Sequence, residues 1–267
     1  MEQDKLENIL QDAIPVVLEA GAYIFEKSFE KDSLKVDEKF KNNLVSIVDK
    51  EAERLLVAGL SSVLPNAGFI TEEETIKSTP KEWMWVIDPL DGTTNFLRGV
   101  PAYSVSVALM KGKELMIGIV YNCALDNLFW ATKGGGCFQD GEPISVTKKP
   151  LKDSLLATGF PYYDYDRTAQ YLSVLEIFMR ETIGLRRLGS AALDLCYVAN
   201  GTFDGFFEYS LNAWDVAAGA LIVKEAGGLL SDFNGGENFI FGKEILATNS
   251  VNQADIFKIV KQGFSSN

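Results

Sequence analysis

No histidine occurs anywhere in the 267 residues. That absence removes Ser-His-Asp and Cys-His pairs, and histidine-ligated zinc, from the mechanisms open to the chain. Any chemistry must rest on carboxylates, hydroxyls, lysine or a bound metal. Cysteine is sparse as well: Cys123, Cys137 and Cys196 are scattered, with no C-x-x-C pair. An odd, thin cysteine count fits a reducing cytoplasm better than a disulfide framework. Basic charge is in deficit, with 25 Lys and Arg against 37 Asp and Glu and a net charge of -12. Nucleic-acid backbones and anionic membranes favour basic patches, so neither is an expected partner. Small anionic substrates stay open, because bound cations can reverse a local field. There is no apolar run of membrane-spanning length and no basic-then-apolar leader after Met1-Glu-Gln-Asp-Lys5. A cytoplasmic, non-membrane protein is the expectation.

What is present supports a substantial core, since 47% of residues are hydrophobic and 11% aromatic. Leu6, Ile9, Leu10, Ala13, Ile14, Val17, Leu18, Gly21, Ile24 and Phe25 recur at helical spacing, with a bend possible at Pro15. A second helix is read over Asp49 to Leu64, with Ala52, Leu55, Leu56, Leu60 and Val63 inward. Strands are read at Gly68–Thr71, Met84–Ile87, Ser104–Met110 and Leu115–Tyr121. Lys111-Gly-Lys113 makes a hairpin between the last two, so this sheet should be antiparallel there. Gly134-Gly-Gly136 lacks a phosphate-loop context and reads as a turn. The second half alternates: strand Leu155–Thr158, helix Thr168–Glu181, helix Ala191–Ala199, strand Gly205–Glu208 and helix Ala213–Ala226. Such alternation implies α/β layering. One domain over 1–267 is expected, with subdomains 1–150 and 151–267 as an open division.

Three acidic sites carry chemical interest. In Trp85-Val-Ile-Asp-Pro-Leu-Asp-Gly-Thr-Thr-Asn-Phe96, Asp88 and Asp91 flank a proline and precede a glycine. Both carboxylates can converge on one spot together with the Leu90 carbonyl, and oxygen-only ligands suit Mg²⁺ or Mn²⁺. The bland reading is a turn in which both aspartates cap backbone donors. In Thr71-Glu-Glu-Glu74 the glutamate nearest the strand, Glu72, is the one expected to point inward. Asp215 opens a small-residue helix, where an acidic side chain also complements the helix dipole.

The Trp85–Phe96 run and Trp214-Asp-Val-Ala-Ala-Gly-Ala-Leu-Ile-Val-Lys-Glu-Ala-Gly-Gly228 resemble the two signature motifs of the inositol monophosphatase family. The resemblance extends to Lys41–Asp49 and Arg186–Asp194, in the same order. It implies an α+β fold, the layered α-β-α-β-α sandwich shared with fructose-1,6-bisphosphatase, and a lithium-sensitive, commonly homodimeric hydrolase. It implies Mg²⁺-dependent hydrolysis of inositol monophosphate by metal-activated water, with two or three Mg²⁺ per site and Mn²⁺ as a substitute. By position, Glu72, Asp88, Leu90, Asp91 and Asp215 would hold metal. Asp49, Glu72 and Thr93 would serve the attacking water. Asp91, Gly92, Thr93, Gly189, Ser190, Ala191, Glu208 and Asp215 would meet the substrate. Related enzymes act on fructose 1,6-bisphosphate, 3′-phosphoadenosine 5′-phosphate or the 2′-phosphate of NADP, and these stand as alternatives. A non-catalytic, metal-binding regulatory protein is a more distant one. Thr71, Asn43 and Ala213 depart from the family's usual Gly, Asp and Pro, and none of the three is a metal ligand. Segment 159–167, with its tyrosines, and Arg186-Arg187 are the places where specificity should reside.

Overall fold

The computed structural model describes residues 2–30, 36–40, 43–77, 79–161 and 164–265. Lys41, Asn42, Tyr162 and Tyr163, drawn into the sequence argument, lie outside the described residues. Helix α1 (Glu2–Lys27) and helix α2 (Ile47–Val63) flank a hairpin of β1 (Val36–Phe40) and β2 (Asn43–Ser46). There follow β3 (Gly68–Thr71), β4 (Trp83–Asp91), helix α3 (Thr93–Arg98), β5 (Ser104–Lys111), β6 (Glu114–Asn122), β7 (Asn127–Thr132), β8 (Gly136–Gln139) and β9 (Glu142–Pro143). These strands form one sheet in chain order, antiparallel except for the parallel β3–β4 pair. The hairpin expected at Lys111-Gly-Lys113 joins β5 to β6, and the glycine triplet is the turn into β8.

The second half supplies β10 (Leu155–Thr158), α4 (Thr168–Glu181), β11 (Gly184–Arg186), α5 (Ala191–Ala199), β12 (Gly205–Tyr209), α6 (Ala213–Glu225), β13 (Leu229–Ser231), β14 (Glu244–Thr248) and α7 (Gln253–Ser265). Its sheet runs β11-β10-β12-β14-β13, mixed in direction. Three apolar clusters show how the layers stack. Leu6, Leu10, Val17 and Leu56 of α1 and α2 pack on Trp85, Ile87, Val105 and Val107 of the first sheet. Leu195, Val198, Val216 and Leu221 of α5 and α6 fill the space between the sheets. Tyr171, Phe178, Ile256 and Val260 of α4 and α7 cover the outer face of the second sheet. The order is α-β-α-β-α. The middle layer is buried on both faces, which explains why α6 is apolar all round and rich in alanine.

One inward assignment fails: Leu55 is 37% exposed on α2. Phe25, at the end of the apolar recurrence of α1, is 43% exposed and stacks edge-on with Phe29. Helical periodicity gives an apolar stripe, and residues at its margin sit on either side of the water line.

Candidate active site

Strand β4 runs farther than its apolar stretch suggests. Asp88, Pro89, Leu90 and Asp91 belong to it, and its ladder to β5 slips between Asp88 and Asp91. A bulged register tolerates proline, which has no N–H to offer a neighbour. Asp88 lies within this irregular strand end rather than beyond it. Its Oδ1 accepts the Leu90 N–H at 3.0 Å, the capping use a plain acidic turn predicts. Gly92 then turns the chain with φ 92°, and a Cβ there would meet the Ala102 carbonyl oxygen at 2.8 Å. Thr93 opens α3, and its hydroxyl faces Asp49 Oδ1 at 2.8 Å and the Leu90 carbonyl at 3.1 Å.

Of the three glutamates after β3, Glu72 lines the cleft, and its N–H donates to the Ile87 carbonyl of β4. Glu73 is not part of the lining, and its N–H is held by Glu53 Oε2 at 2.7 Å. The Thr75 N–H and hydroxyl both reach Glu53 Oε1 at 2.7 Å. Glu53 is fully buried and was not singled out in the sequence, although with Asp49, Ala52, Leu56 and Leu60 it completes the inward stripe of α2. An acidic residue on an apolar stripe was the available signal. Glu53→Gln keeps the shape but sets an amide donor against backbone donors. We expect a stability loss of about 1–3 kcal/mol and a several-fold rise in the Mg²⁺ needed for half-maximal activity, because the same loop carries Glu72. Denaturant melts and a Mg²⁺ titration of phosphate release check this. An unchanged titration would make Glu53 structural only.

The second half of the chain closes the cleft. Asp91 Oδ2 accepts the Ser190 hydroxyl at 2.6 Å and the Ala192 N–H at 2.8 Å, so the first sheet grips the N-terminus of α5. Ser190, expected at the substrate, is buried with its hydroxyl on Asp91, and Gly189 and Ala191 line the cleft beside it. Asn95, also unremarked in the sequence, donates to the Ala102 and Leu188 carbonyls at 2.7 and 2.8 Å and ties α3 to the same segment. Asp215 Oδ2 accepts the Asn212 N–H at 2.6 Å, so it caps α6 while lining the cleft. Glu208, from β12, is buried in the opposite wall, its carboxylate against Gly159 where any side chain would collide with it. Phe160, Pro161, Arg187 and the Tyr209–Asn212 turn complete the lining.

The charge balance is lopsided. Loss of solvent pushes the Asp88 carboxyl well above the usual carboxylate range, and Glu72, Asp91 and Asp215 push it further. Asp215 is raised by the same loss of water, then by Glu72 and Asp91. Asp91 rises to about 6 by burial, held back by its bonds to Ser190 and Ala192. Burial raises Glu208 and Asp194, and Arg187 opposes the rise in both. Buried like charges require a compensating cation. An all-oxygen donor set of this kind suits a hard divalent ion. Among the described residues the acidic groups do not form a tight, ready-made cluster of three or more ligands. They line one cleft, where Glu72, Asp91 and Asp215 all raise the Asp88 carboxyl. The residues fit Mg²⁺ by donor chemistry and by this uncompensated charge.

Comparison with known proteins identifies the family. A model of the inositol monophosphatase family matches residues 5–263. An inositol-1-monophosphatase of Mesorhizobium japonicum is 38% identical over 268 residues, covering 100% of both chains. The Nus factor SuhB of Escherichia coli is 39% identical over 243 residues, 90% of this chain and 91% of that one. The crystal structure of the extragenic suppressor protein SuhB from Bartonella henselae superposes with a TM-score of 0.91 at 36% identity, covering 96% of this chain and 99% of that one.

Proposed function

Because the chain belongs to the inositol monophosphatase family, a family of generally Mg²⁺-dependent phosphomonoesterases, we propose that it hydrolyses inositol monophosphate to inositol and phosphate. The observation that carries the reading is the cleft that Glu72, Asp88, Asp91 and Asp215 share with Gly92, Thr93 and Glu208. Glu72, Asp88, Asp91, Asp215 and the Leu90 carbonyl would hold two or three Mg²⁺, with Mn²⁺ as a substitute. Bound there, the ions would supply an acidified water near neutral pH and charge neutralisation at the phosphoryl group.

The chain's own groups do the rest. Thr93 faces its hydroxyl toward Asp49, which leaves a lone pair on Oγ1 to accept from the attacking water. Glu72, in the same lining, would also serve that water. The turn at Gly92 and Thr93 presents backbone donors to the phosphate. Glu208 accepts a hydroxyl of the alcohol half, with Gly189, Ala191 and Asp215 around it.

Charge accounting favours a substrate with one phosphate. Arg187 is the basic residue of the lining, and the carboxylates of Glu208 and Asp194 offset it. A second phosphate, as in fructose 1,6-bisphosphate, 3′-phosphoadenosine 5′-phosphate or NADP, would meet no unopposed cation there. We expect inositol 1-phosphate to exceed each of these in kcat/KM by about tenfold or more. Phosphate release across that panel, with Mg²⁺ and with EDTA, is the test. Preference for a bisphosphate would overturn the substrate, and no Mg²⁺-dependent release from any ester would favour a regulatory role of the kind the name Nus factor implies for its relative.

The proposal extends to a lithium-inhibited homodimer that acts as one catalytic unit over residues 1–267. Leu172 and Met179 on α4, with Ile183 just beyond its end, are exposed apolar side chains, between 57% and 66% accessible, that a second copy can cover. A monomeric mass by light scattering at micromolar concentration would contradict it. Among the described residues no helix is long and apolar enough to cross a membrane.

A further inference from the structure

Phe160 is an exposed aromatic that lines the cleft. The residue is 48% exposed and lies beside Gly189, Ala191 and Glu208. Exposed aromatics are ordinarily free to reorient, but this one is fixed from two sides. Buried Tyr171 meets it edge-on at 5.9 Å and 88°, and the Tyr171 hydroxyl is itself bonded to Thr158 at 2.7 Å. The Arg187 guanidinium lies 5.5 Å from its ring centroid. That guanidinium packs in turn on Gly189, where a Cβ would come within 2.4 Å of Nη1. Beneath it, in α5, Asp194 is wholly buried, and neither carboxylate oxygen has a hydrogen-bond partner. Arg187 opposes the burial-driven rise of the Asp194 carboxyl, so the two groups lie within electrostatic reach of each other. A stack of Gly189, Arg187 and Phe160 thus joins the segment before α5 to the loop after β10.

We propose that Phe160 is a specificity-determining residue, an aromatic platform for the carbon face of a ring-shaped polyol. This rests on the phosphatase reading of the same cleft. A cyclic polyol has an apolar C–H face and an edge of hydroxyl donors. Phe160 offers a flat apolar surface, and Glu208, in the same wall, offers acceptors to the edge. An open-chain alcohol has no rigid face to set on the ring, so it gains little from it. A planar base could stack equally well, but nucleotide substrates of the alternative kinds bring additional phosphates into a wall whose single cation is already offset.

The test compares inositol 1-phosphate with glycerol 2-phosphate as substrates for the Mg²⁺-loaded enzyme. Phe160→Ala should lower kcat/KM for inositol 1-phosphate about tenfold, through KM, and leave glycerol 2-phosphate within about twofold. Phe160→Tyr should restore the preference. A second readout needs no turnover. With free inositol and inorganic phosphate present, saturation of the protein's aromatic protons should transfer to the inositol C–H protons in the parent and not in Phe160→Ala. Equal losses on both esters, or transfer that persists in the variant, would overturn the platform while leaving the phosphatase reading intact. Selective loss on adenosine 2′-monophosphate would assign the ring to a base instead. If the parent releases phosphate from no ester and shows no transfer, the phosphatase reading and the platform fall together.

Discussion

Asp88→Asn should lose about a thousandfold or more in turnover, yet its metal-free form should melt at a higher temperature than the parent. The two effects have one origin. Asp88 is 1% exposed, and its neighbours Glu72, Asp91 and Asp215 carry the same charge. Amidation removes one buried charge from that group, and relief of an uncompensated buried charge is worth about 1–3 kcal/mol. The turn itself survives, because the asparagine oxygen can still accept the Leu90 N–H that Asp88 accepts at 3.0 Å. The lost charge is also the one a divalent ion needs, so catalysis fails where stability gains. Phosphate release with saturating Mg²⁺ and calorimetry in EDTA separate the outcomes. Near-parental turnover would show that the carboxylates do not assemble the metal. Lost turnover with a lower melting temperature would make Asp88 a structural turn residue, the bland reading with which its sequence context began.

The acidic ligand candidates were legible because each sits where a strand ends or a helix begins, and their residue types restrict the chemistry. Glu72 could be chosen over Glu73 and Glu74 only by its closeness to β3. The structural reason is Glu53, which ties down the backbone of Glu73 and Thr75 from α2 and leaves Glu72 toward the cleft. Contacts such as this span about twenty residues and leave no local pattern. The same holds for the bond between Ser190, which the family resemblance places at the substrate, and Asp91, a residue of the other sheet. Short strands were lost for another reason. β11 and β13 are each three residues long, too short for alternation to show, and they exist because β10 and β14 offer edges to pair with. Helix α7 went unread beside them, although its inward Ile256 and Val260 lie four apart.

In EDTA the protein should become less stable as pH rises, and Mg²⁺ should reverse the trend. Asp91 titrates at about 6, and Asp88, Asp215, Asp194 and Glu208 are all raised well above their ordinary range. Between the ordinary carboxylate value near about 4 and these raised values, the native state holds more protons than the unfolded state. Unfolding free energy then falls with increasing pH, since its slope follows protons bound unfolded minus protons bound native. The stabilising contribution is full below the unfolded pKa and is lost as pH climbs through each folded pKa. Mg²⁺ binds the deprotonated carboxylates, so its contribution grows over the same interval, reaching about 2.7 kcal/mol at a hundredfold excess over its dissociation constant. Calorimetry from about pH 5 to about pH 8, with EDTA and with Mg²⁺, should give diverging curves. A flat curve in EDTA would mean that the cluster ionises without cost and has no need of a cation. Asp194→Asn supplies the internal control. Asp194 does not line the cleft, so removing it should flatten both curves equally, whereas Asp88→Asn should flatten the EDTA curve and shrink the gap that Mg²⁺ opens.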